Sequence, residues 1–327
     1  MQMKDRFQIG AVIIGRNEGA RLVRCLTSIV ETVDRIVYVD SGSEDDSILQ
    51  ARKVGAEVII LDTDLPFTAA RARNAGLEHL TLYGNFKYVQ FIDGDCELEK
   101  GWIVKARDFL EGNPKCVVAF GRRKEKFPEA SVYNRLCDVE WDTPIGQSRS
   151  CGGDTLMRVD ALLDVGGFNP NLIAGEEPEL CVRLRAKGWQ IWRLDHAMTL
   201  HDAAILRFSQ WWKRARRGGH AYAEGAALHG APPEQHNVAQ VRRALVWGLV
   251  LPLTILTLSF GSLWALLLLL AYPIQVFRLA MRDGIGKREN WERAFFLTLS
   301  KFPETVGIVT YWWGRLKGKQ IKLIEYK

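Results

Sequence analysis

Within the first 93 residues, apolar runs and helix-patterned stretches alternate at close spacing. QIGAVIIG (8–15), RIVYVD (35–40), EVIIL (57–61) and KYVQFID (87–93) are rich in β-branched and aromatic residues and read as buried strands. Between them, EGARLVRCLTSIVE (18–31) places Leu22, Cys25, Leu26 and Ile29 at helical spacing. EDDSILQARKVG (44–55) opens on acids and closes on Arg, Lys and Gly, the polarity of a helix, and AARARNAGLEHLTLY (69–83) is a third helix. Strands joined by helical crossovers form a mostly parallel, Rossmann-like sheet with helices on its faces, so the fold class is α/β. Ligands of such sheets sit outside the carboxyl ends of the strands, where Asn17, Asp40, Asp93 and Asp95 all fall.

The alternation loosens after residue 115. SVYNRLCDVEWDTPIG (131–146) reads as helix then loop, and CGGDTLMRVDALLDVGGF (151–168) as a glycine turn, a short strand and a helix stopped by Gly166 and Gly167. EEPELCVRLRAKG (176–188) is a helix with Pro178 in its first turn, and WQIWRL (189–194) is a strand. GAPPEQHN (230–237) is a polar, proline-bearing linker, which divides the chain into 1–230 and 231–327.

The second part contains the longest apolar run. Ala244 to Phe277 carries no charge over 34 positions. As one helix it would be about 51 Å long, against a hydrocarbon core of about 30 Å. Two full spans of about 20 residues do not fit either. Gly261-Ser262 splits the run into arms of roughly 16 residues, which suggests a tight helical hairpin, re-entrant or spanning a thinned bilayer. Arg242 and Arg243 precede it, and Arg278, Arg282, Lys287 and Arg288 follow, which places both ends on the cytosolic side. QWWKRARR (210–217) and YWWGRLKGKQIKLIEYK (311–327) join tryptophan pairs to basic residues and read as interfacial. The net charge of +6 therefore points to an anionic membrane surface. No nucleic-acid-binding motif accompanies it, so nucleic acid is not an expected partner. The six cysteines form no CxxC pair and read as reduced core residues. MQMKDRFQIG lacks the apolar stretch of a signal peptide, so the chain is expected to begin in the cytosol, with its first domain facing the cytoplasm from the cell membrane.

FIDGDCEL (91–98) puts two carboxylates, Asp93 and Asp95, one residue apart at a strand end, where their repulsion requires a neutralising partner. A hard divalent cation, Mg2+ or Mn2+, suits carboxylate oxygens and completes its shell with phosphate. VIIGRNEG, VYVDSGSEDDS, ARNAGL, FIDGDCEL and GEEPELCVRLRAKGW, in this order, resemble the glycosyltransferase family 2 catalytic domain with its GT-A fold, over about residues 8 to 205. The resemblance implies an inverting transferase that uses a nucleotide-sugar donor, a metal and one general base.

Carried over by position, the resemblance puts Asn17 and Glu18 beside the nucleotide, Asp40 on its base (usually uracil), and Ser41 and Gly42 in the following turn. It puts Arg73 in the helix flanking the nucleotide, where the alternative is a surface charge, Asp93 on the ribose side, and Asp95 on the metal. Glu177 takes the place of the base, an aspartate in most of the family, with Glu176 in reserve. Glu179 pairs with Arg183 four residues on. Gly152, Gly153 and Asp154 form the acceptor side, and His201 joins Asp93 and Asp95 as a candidate ligand of the metal or diphosphate. The acceptor implied is a lipid-linked or other saccharide at the membrane, in polysaccharide or glycolipid assembly. Two other classes share part of the pattern. A nucleotidyltransferase needs a glycine-rich basic loop near its start, and IIGRNEGARL lacks the repeated glycines and the lysine. A non-catalytic membrane scaffold with a vestigial nucleotide site has no need of Asp93, Asp95 and Glu177 together.

Overall fold

The computed structural model describes residues 8–65 and 67–318, which fall into two compact units, Met1–Ala204 and Ile205–Lys327. The division lies N-terminal to the expected boundary at 230. The helix Phe208–His229 packs inside the second unit, against Lys301–Leu316, and so moves the boundary ahead of it.

The first unit runs β1 (Ile9–Gly15), α1 (Ala20–Ile29), β2 (Arg35–Asp40), α2 (Ser47–Lys53), β3 (Glu57–Ile60), α3 (Ala69–Tyr83), β4 (Tyr88–Asp93) and β5 (Cys96–Leu98). It continues with α4 (Trp102–Gly112), β6 (Cys116–Glu125), α5 (Val132–Trp141), β7 (Gly146–Ser148), β8 (Thr155–Arg158), α6 (Val159–Asp164), α7 (Glu176–Ala186) and β9 (Gln190–His201). The sheet order is β3-β2-β1-β4-β8-β6-β9-β5, with β7 on β9. The first four strands are parallel; residues of β1, β2 and β4, among them Ile9, Val12, Ile13, Val37, Val39 and Phe91, are buried, while the edge strand β3 is only partly so. Burial on both faces is what keeps these runs continuously apolar. Gly15 stands opposite Asp40, and Ile14 opposite Asp93, so the three strands end together. That shared edge is the one the sequence pattern anticipates.

Beyond β4 the sheet is mixed rather than mostly parallel. β8 inserts antiparallel between β4 and β6. This brings the residue before β8, Asp154, to the carboxyl end of β4, where its Oδ1 accepts a hydrogen bond from Asp93 N at 3.0 Å. The strand expected at 189–194 continues without a break to His201, and its far end pairs with β5 so that His201 faces Cys96. All six cysteines are buried, and none is in a disulfide.

The second unit contains α8 (Phe208–His229), α9 (Val238–Ser259), α10 (Leu263–Asp283), α11 (Arg288–Leu299) and α12 (Lys301–Leu316). Helices α9 and α10, of 22 and 21 residues, are each long and apolar enough to cross a membrane. The arms are therefore longer than the roughly 16 residues that the uncharged run allows. A helix does not stop at a charge, and these two extend through Arg242 and Arg243 on one side and Arg278 and Arg282 on the other. The break between them spans the expected Gly261-Ser262. Trp211 is buried with its ring edge-on to Phe296, 5.0 Å away, so the interfacial reading of 210–217 does not extend to it. Residues 319–327 of the second basic segment lie outside the described residues.

Helix α3 lies close against the sheet at Gly76, where a Cβ would overlap the Val12 side chain and stand 3.1 Å from Val39 Cγ2. Alanine favours a helix over glycine by about 1 kcal/mol, but forcing a methyl into a packed core costs about 1–3 kcal/mol. Valine on a strand has little rotamer freedom with which to yield. Gly76→Ala is expected to lower the melting temperature of the purified protein; an unchanged or higher value would show that the sheet gives way.

Candidate active site

Two arginines lie beside Asp93. Arg73 Nη2 sits 2.9 Å from Asp93 Oδ1, and Arg123 Nη2 sits 2.9 Å from Asp93 Oδ2. Burial alone would raise this carboxyl, but the two guanidiniums outweigh it and hold Asp93 well below the usual carboxylate range. The other acid of the pair has a different neighbour. Asp95 Oδ1 lies 3.2 Å from His201 Nε2, and both residues are buried. Burial, reinforced by Arg123, pushes the His201 imidazole down to about 4. His201 is therefore neutral at pH 7, and it meets Asp95 through a hydrogen bond rather than an ion pair.

The donor set around Asp95 fits a divalent cation. Ligand atoms of Asp95, Cys96 and His201 lie within 4.8 Å of one another, whereas those of Asp93 group with Cys96 and Asp154 instead. The neutral imidazole keeps its buried Nδ1 without a hydrogen-bond partner. A carboxylate beside an imidazole suits Mn2+, and Mg2+ with phosphate oxygens added. Asp93, expected on the sequence to serve the metal as well as the ribose, has both oxygens engaged by arginines.

Arg73 is the centre of the site. It is 2% exposed and lies over the Phe168 ring, with its carbon 5.6 Å from the centroid. Besides Asp93, its Nη1 stands 2.9 Å from Glu176 Oε1 and 2.9 Å from Glu177 Oε1. The surface-charge alternative for Arg73 is thereby removed. Helix α7 begins at Glu176 after Gly175, whose left-handed φ of 81° turns the chain inward. Both carboxylates thus enter the site from the first helical turn. Burial, and then the charge of Glu176, push Glu177 up to about 7. Glu179 is held by Arg183 at 2.7 Å, as the i,i+4 spacing requires.

The turn before β8 packs against this cluster. A Cβ on Gly153 would collide with Arg73 Nη2 and approach both Asp93 oxygens at 3.1 Å. Asp154, expected on the acceptor side, is 1% exposed, and its carboxylate is committed to the interior. Its Oδ2 accepts from Arg123 Nε at 2.8 Å and from Thr199 Oγ1 at 2.7 Å. It braces β4, β6 and β9 rather than presenting an open carboxylate. Arg123 is absent from the sequence-derived set, as is Trp141, whose ring lies under Arg123 (5.3 Å) and edge-on to His201 (4.7 Å). A signal was available: CVVAFGRRKE drives two arginines straight out of a buried strand, mirroring the acids of FIDGD.

The loops after β1 and β2 are clipped together. The Asn17 N–H donates to Ser43 Oγ at 2.9 Å, and Asn17 Oδ1 accepts from Glu44 N at 2.7 Å. Asp40 is fully buried and accepts from Tyr38 Oη, Gly42 N, Ser43 N and Ser43 Oγ at 2.5–3.0 Å. Its carboxylate shapes the Ser41-Gly42-Ser43 turn instead of facing open space. Ser41 N bonds Gly15 O at 3.0 Å, and Glu18 pairs with Arg21 at 2.8 Å.

Residues 11–155 match the model of glycosyl transferase family 2. This part of the chain is a family 2 glycosyltransferase domain. Arg73, Asp93, Asp95, Arg123 and Asp154 lie inside the family 2 match; Glu176, Glu177 and His201 lie beyond it. An uncharacterized glycosyltransferase of Rickettsia conorii is 34% identical over 93 residues, 28% of this chain and 30% of its own length. A pre-mycofactocin glycosyltransferase of Mycobacterium tuberculosis is 25% identical over 212 residues, 59% of this chain and 42% of its own. The chain thus spans less than half the length of these curated relatives. A mannosyltransferase of Pyrobaculum calidifontis, solved with GDP-Man and Mn2+, superposes with a TM-score of 0.60 at 15% identity, covering 92% of this chain and 87% of the other. The family 2 domain therefore has the GT-A fold, and helices follow it.

Removing Arg73 leaves three carboxylates, buried Glu176 and half-buried Asp93 and Glu177, without their shared cation. Breaking a buried pair from one side costs about 3–5 kcal/mol. Arg73→Ala is expected to melt well below the parent protein. Arg73→Lys should recover only part of the loss, since one ammonium cannot reproduce the planar fork. A melting temperature unchanged in Arg73→Ala would remove Arg73 from the centre of the site.

Proposed function

We propose that the chain is an inverting, divalent-metal-dependent glycosyltransferase. It moves a sugar from a nucleotide diphosphate sugar, UDP-linked by the family resemblance, to a lipid-linked or other saccharide acceptor at a membrane. The observation that carries this reading is the single guanidinium of Arg73 joining the donor-side acid Asp93 to the candidate bases Glu176 and Glu177. Donor-side and acceptor-side groups are thereby held in one cluster, as a direct displacement requires.

In this reading the Glu177 carboxylate takes the proton of the acceptor hydroxyl. That oxygen attacks the anomeric carbon from the face opposite the diphosphate, and the carbon–oxygen bond to the diphosphate breaks with its electron pair. Configuration inverts once. Mg2+ or Mn2+, held by Asp95 and His201, supplies charge neutralisation to the leaving diphosphate when bound. Arg73 keeps Glu177 oriented, and Asp40 holds the loop on which a nucleotide base rests. Helices α9 and α10 anchor the protein in the cell membrane with both ends in the cytosol, where nucleotide sugars are made. The basic residues at both ends of the hairpin support that orientation.

A base works only when ionised. With Glu177 raised to about 7, transfer is expected to be full above that pH and to fall about tenfold per unit below it. Assays of membranes with a panel of UDP- and GDP-sugars test this. Glu177→Gln should lose about a hundredfold or more while still binding donor. A dead Glu176→Gln beside an active Glu177→Gln would move the base to Glu176.

Asp95→Asn is expected to abolish the metal dependence of nucleotide binding, because it takes one charge from the cation's shell. Calorimetry with UDP and Mn2+ giving the same affinity for both proteins would sink the metal assignment. For the orientation, single cysteines near residues 236 and 290, in a background lacking native cysteine, should resist an impermeant thiol reagent until the cells are opened. Labelling at 290 alone on intact cells would mean a single crossing.

A further inference from the structure

Helix α12 has two faces of different character. One packs inside the second unit through Thr305, Gly307, Ile308, Tyr311 and Gly314, all buried. The other is apolar and exposed: Val306, Val309, Trp313 and Leu316 recur at three- and four-residue spacing. Trp313 is 59% and Leu316 81% exposed. Side chains three and four apart share one helical face, so these four form a stripe, and Trp312 flanks it. A contiguous apolar stripe of this length marks an interaction surface.

The packing of the buried face sets the level of this stripe. Thr305 Oγ1 donates to Ala244 O of α9 at 2.8 Å, and Ala244 and Leu245 pack with Ile308 and Tyr311. The Phe302 ring meets Tyr272 of α10 at 5.7 Å, and Tyr272 Oη in turn donates to Trp247 O at 2.8 Å. Helix α12 is thus fastened to both apolar arms close to their basic ends, at the turn following Arg243 of α9 and nearly two turns inside Arg278 of α10. The charges agree with that depth. From Thr305 to Gly318 the chain has no acidic residue, and Glu304 is held by Lys301 at 2.6 Å. Arg315 and Lys317 are exposed and stand over the rings of Trp312 (5.7 Å) and Trp313 (4.4 Å). Tryptophan rings with adjoining cations are the side chains that favour the headgroup layer.

We propose that α12 lies in the interface of an anionic bilayer, with Val306, Val309, Trp313 and Leu316 sunk toward the acyl chains and Arg315 and Lys317 on lipid phosphate. The hairpin then has a third membrane contact, a helix fastened to both arms. This rests on the membrane reading of α9 and α10.

The test uses the full chain, freed of native cysteine, in vesicles of phosphatidylcholine with about 30% phosphatidylglycerol, an anionic surface. Spin labels are placed by Val309→Cys and Leu316→Cys, with Leu256→Cys in α9 and Glu289→Cys on α11 as references. Accessibility to oxygen and to a water-soluble nickel chelate is then read for each. The labels at 309 and 316 are expected to favour oxygen and resist nickel, like 256 and unlike 289. In phosphatidylcholine alone, or with Arg315→Gln and Lys317→Gln, nickel accessibility at 316 should rise severalfold. A lipid-exposed 256 with water-exposed 309 and 316 overturns the proposal and leaves the hairpin standing. A water-exposed 256 overturns the membrane reading and this proposal together. Spin–spin broadening at 309 that disappears on dilution with unlabelled protein would mean that a second copy, not lipid, covers the stripe.

Discussion

One guanidinium holds this site together. Arg73 reaches from α3 to an acid at the end of β4 and to two acids at the start of α7, three segments far apart in sequence. Carboxylates crowded in a buried space repel strongly, and a planar cation with several donors can satisfy them at once. Arg123 repeats the device on the other side of Asp93 and carries it on to Asp154 and, through that residue, to Thr199 of β9. The result is a charge-alternating chain that crosses the sheet edge. Every strand whose end lines the site, from β4 to β9, is tied into it by a side chain rather than by sheet pairing alone.

The two acids of FIDGD are consequently not equivalent. Asp93 is neutralised by protein cations and needs no ion to be stable. Asp95 sits beside a neutral imidazole, which donates a hydrogen bond but adds no positive charge. Asp93 is held between two guanidiniums while Asp95 lies against an uncharged ring, so the two acids offer an incoming cation different surroundings.

Much of this was legible in the sequence, for definite physical reasons. Parallel strands buried on both faces write themselves as continuous apolar runs, so β1, β2 and β4 and the alignment of Asp40 with Asp93 could be read directly. The i,i+4 pair of Glu179 and Arg183 follows from helix geometry alone. Long-range register could not be read. Nothing local says that β8 enters antiparallel beside β4, yet that choice is what buries Asp154 and gives Arg123 its partner. The same limit applies to His201, whose approach to Asp95 depends on β9 running unbroken to meet β5. Asp40 shows a different limit. Its position at a strand end was evident, but not the four donors already converging on it. The arms of the hairpin were underestimated because counting uncharged residues finds where a helix is apolar, not where it ends.

The paired glycines before β8 look interchangeable on paper. At Gly153 the space for a side chain is taken by Arg73 and Asp93, whereas a Cβ on Gly152 would meet nothing within 4 Å. Every base change that replaces glycine adds at least a Cβ, so no mutational step from Gly153 is a small one. Gly152 is free to explore. Sequence variation in this turn has an open door at one position and a closed one beside it, and the closed door guards the electrostatic hub.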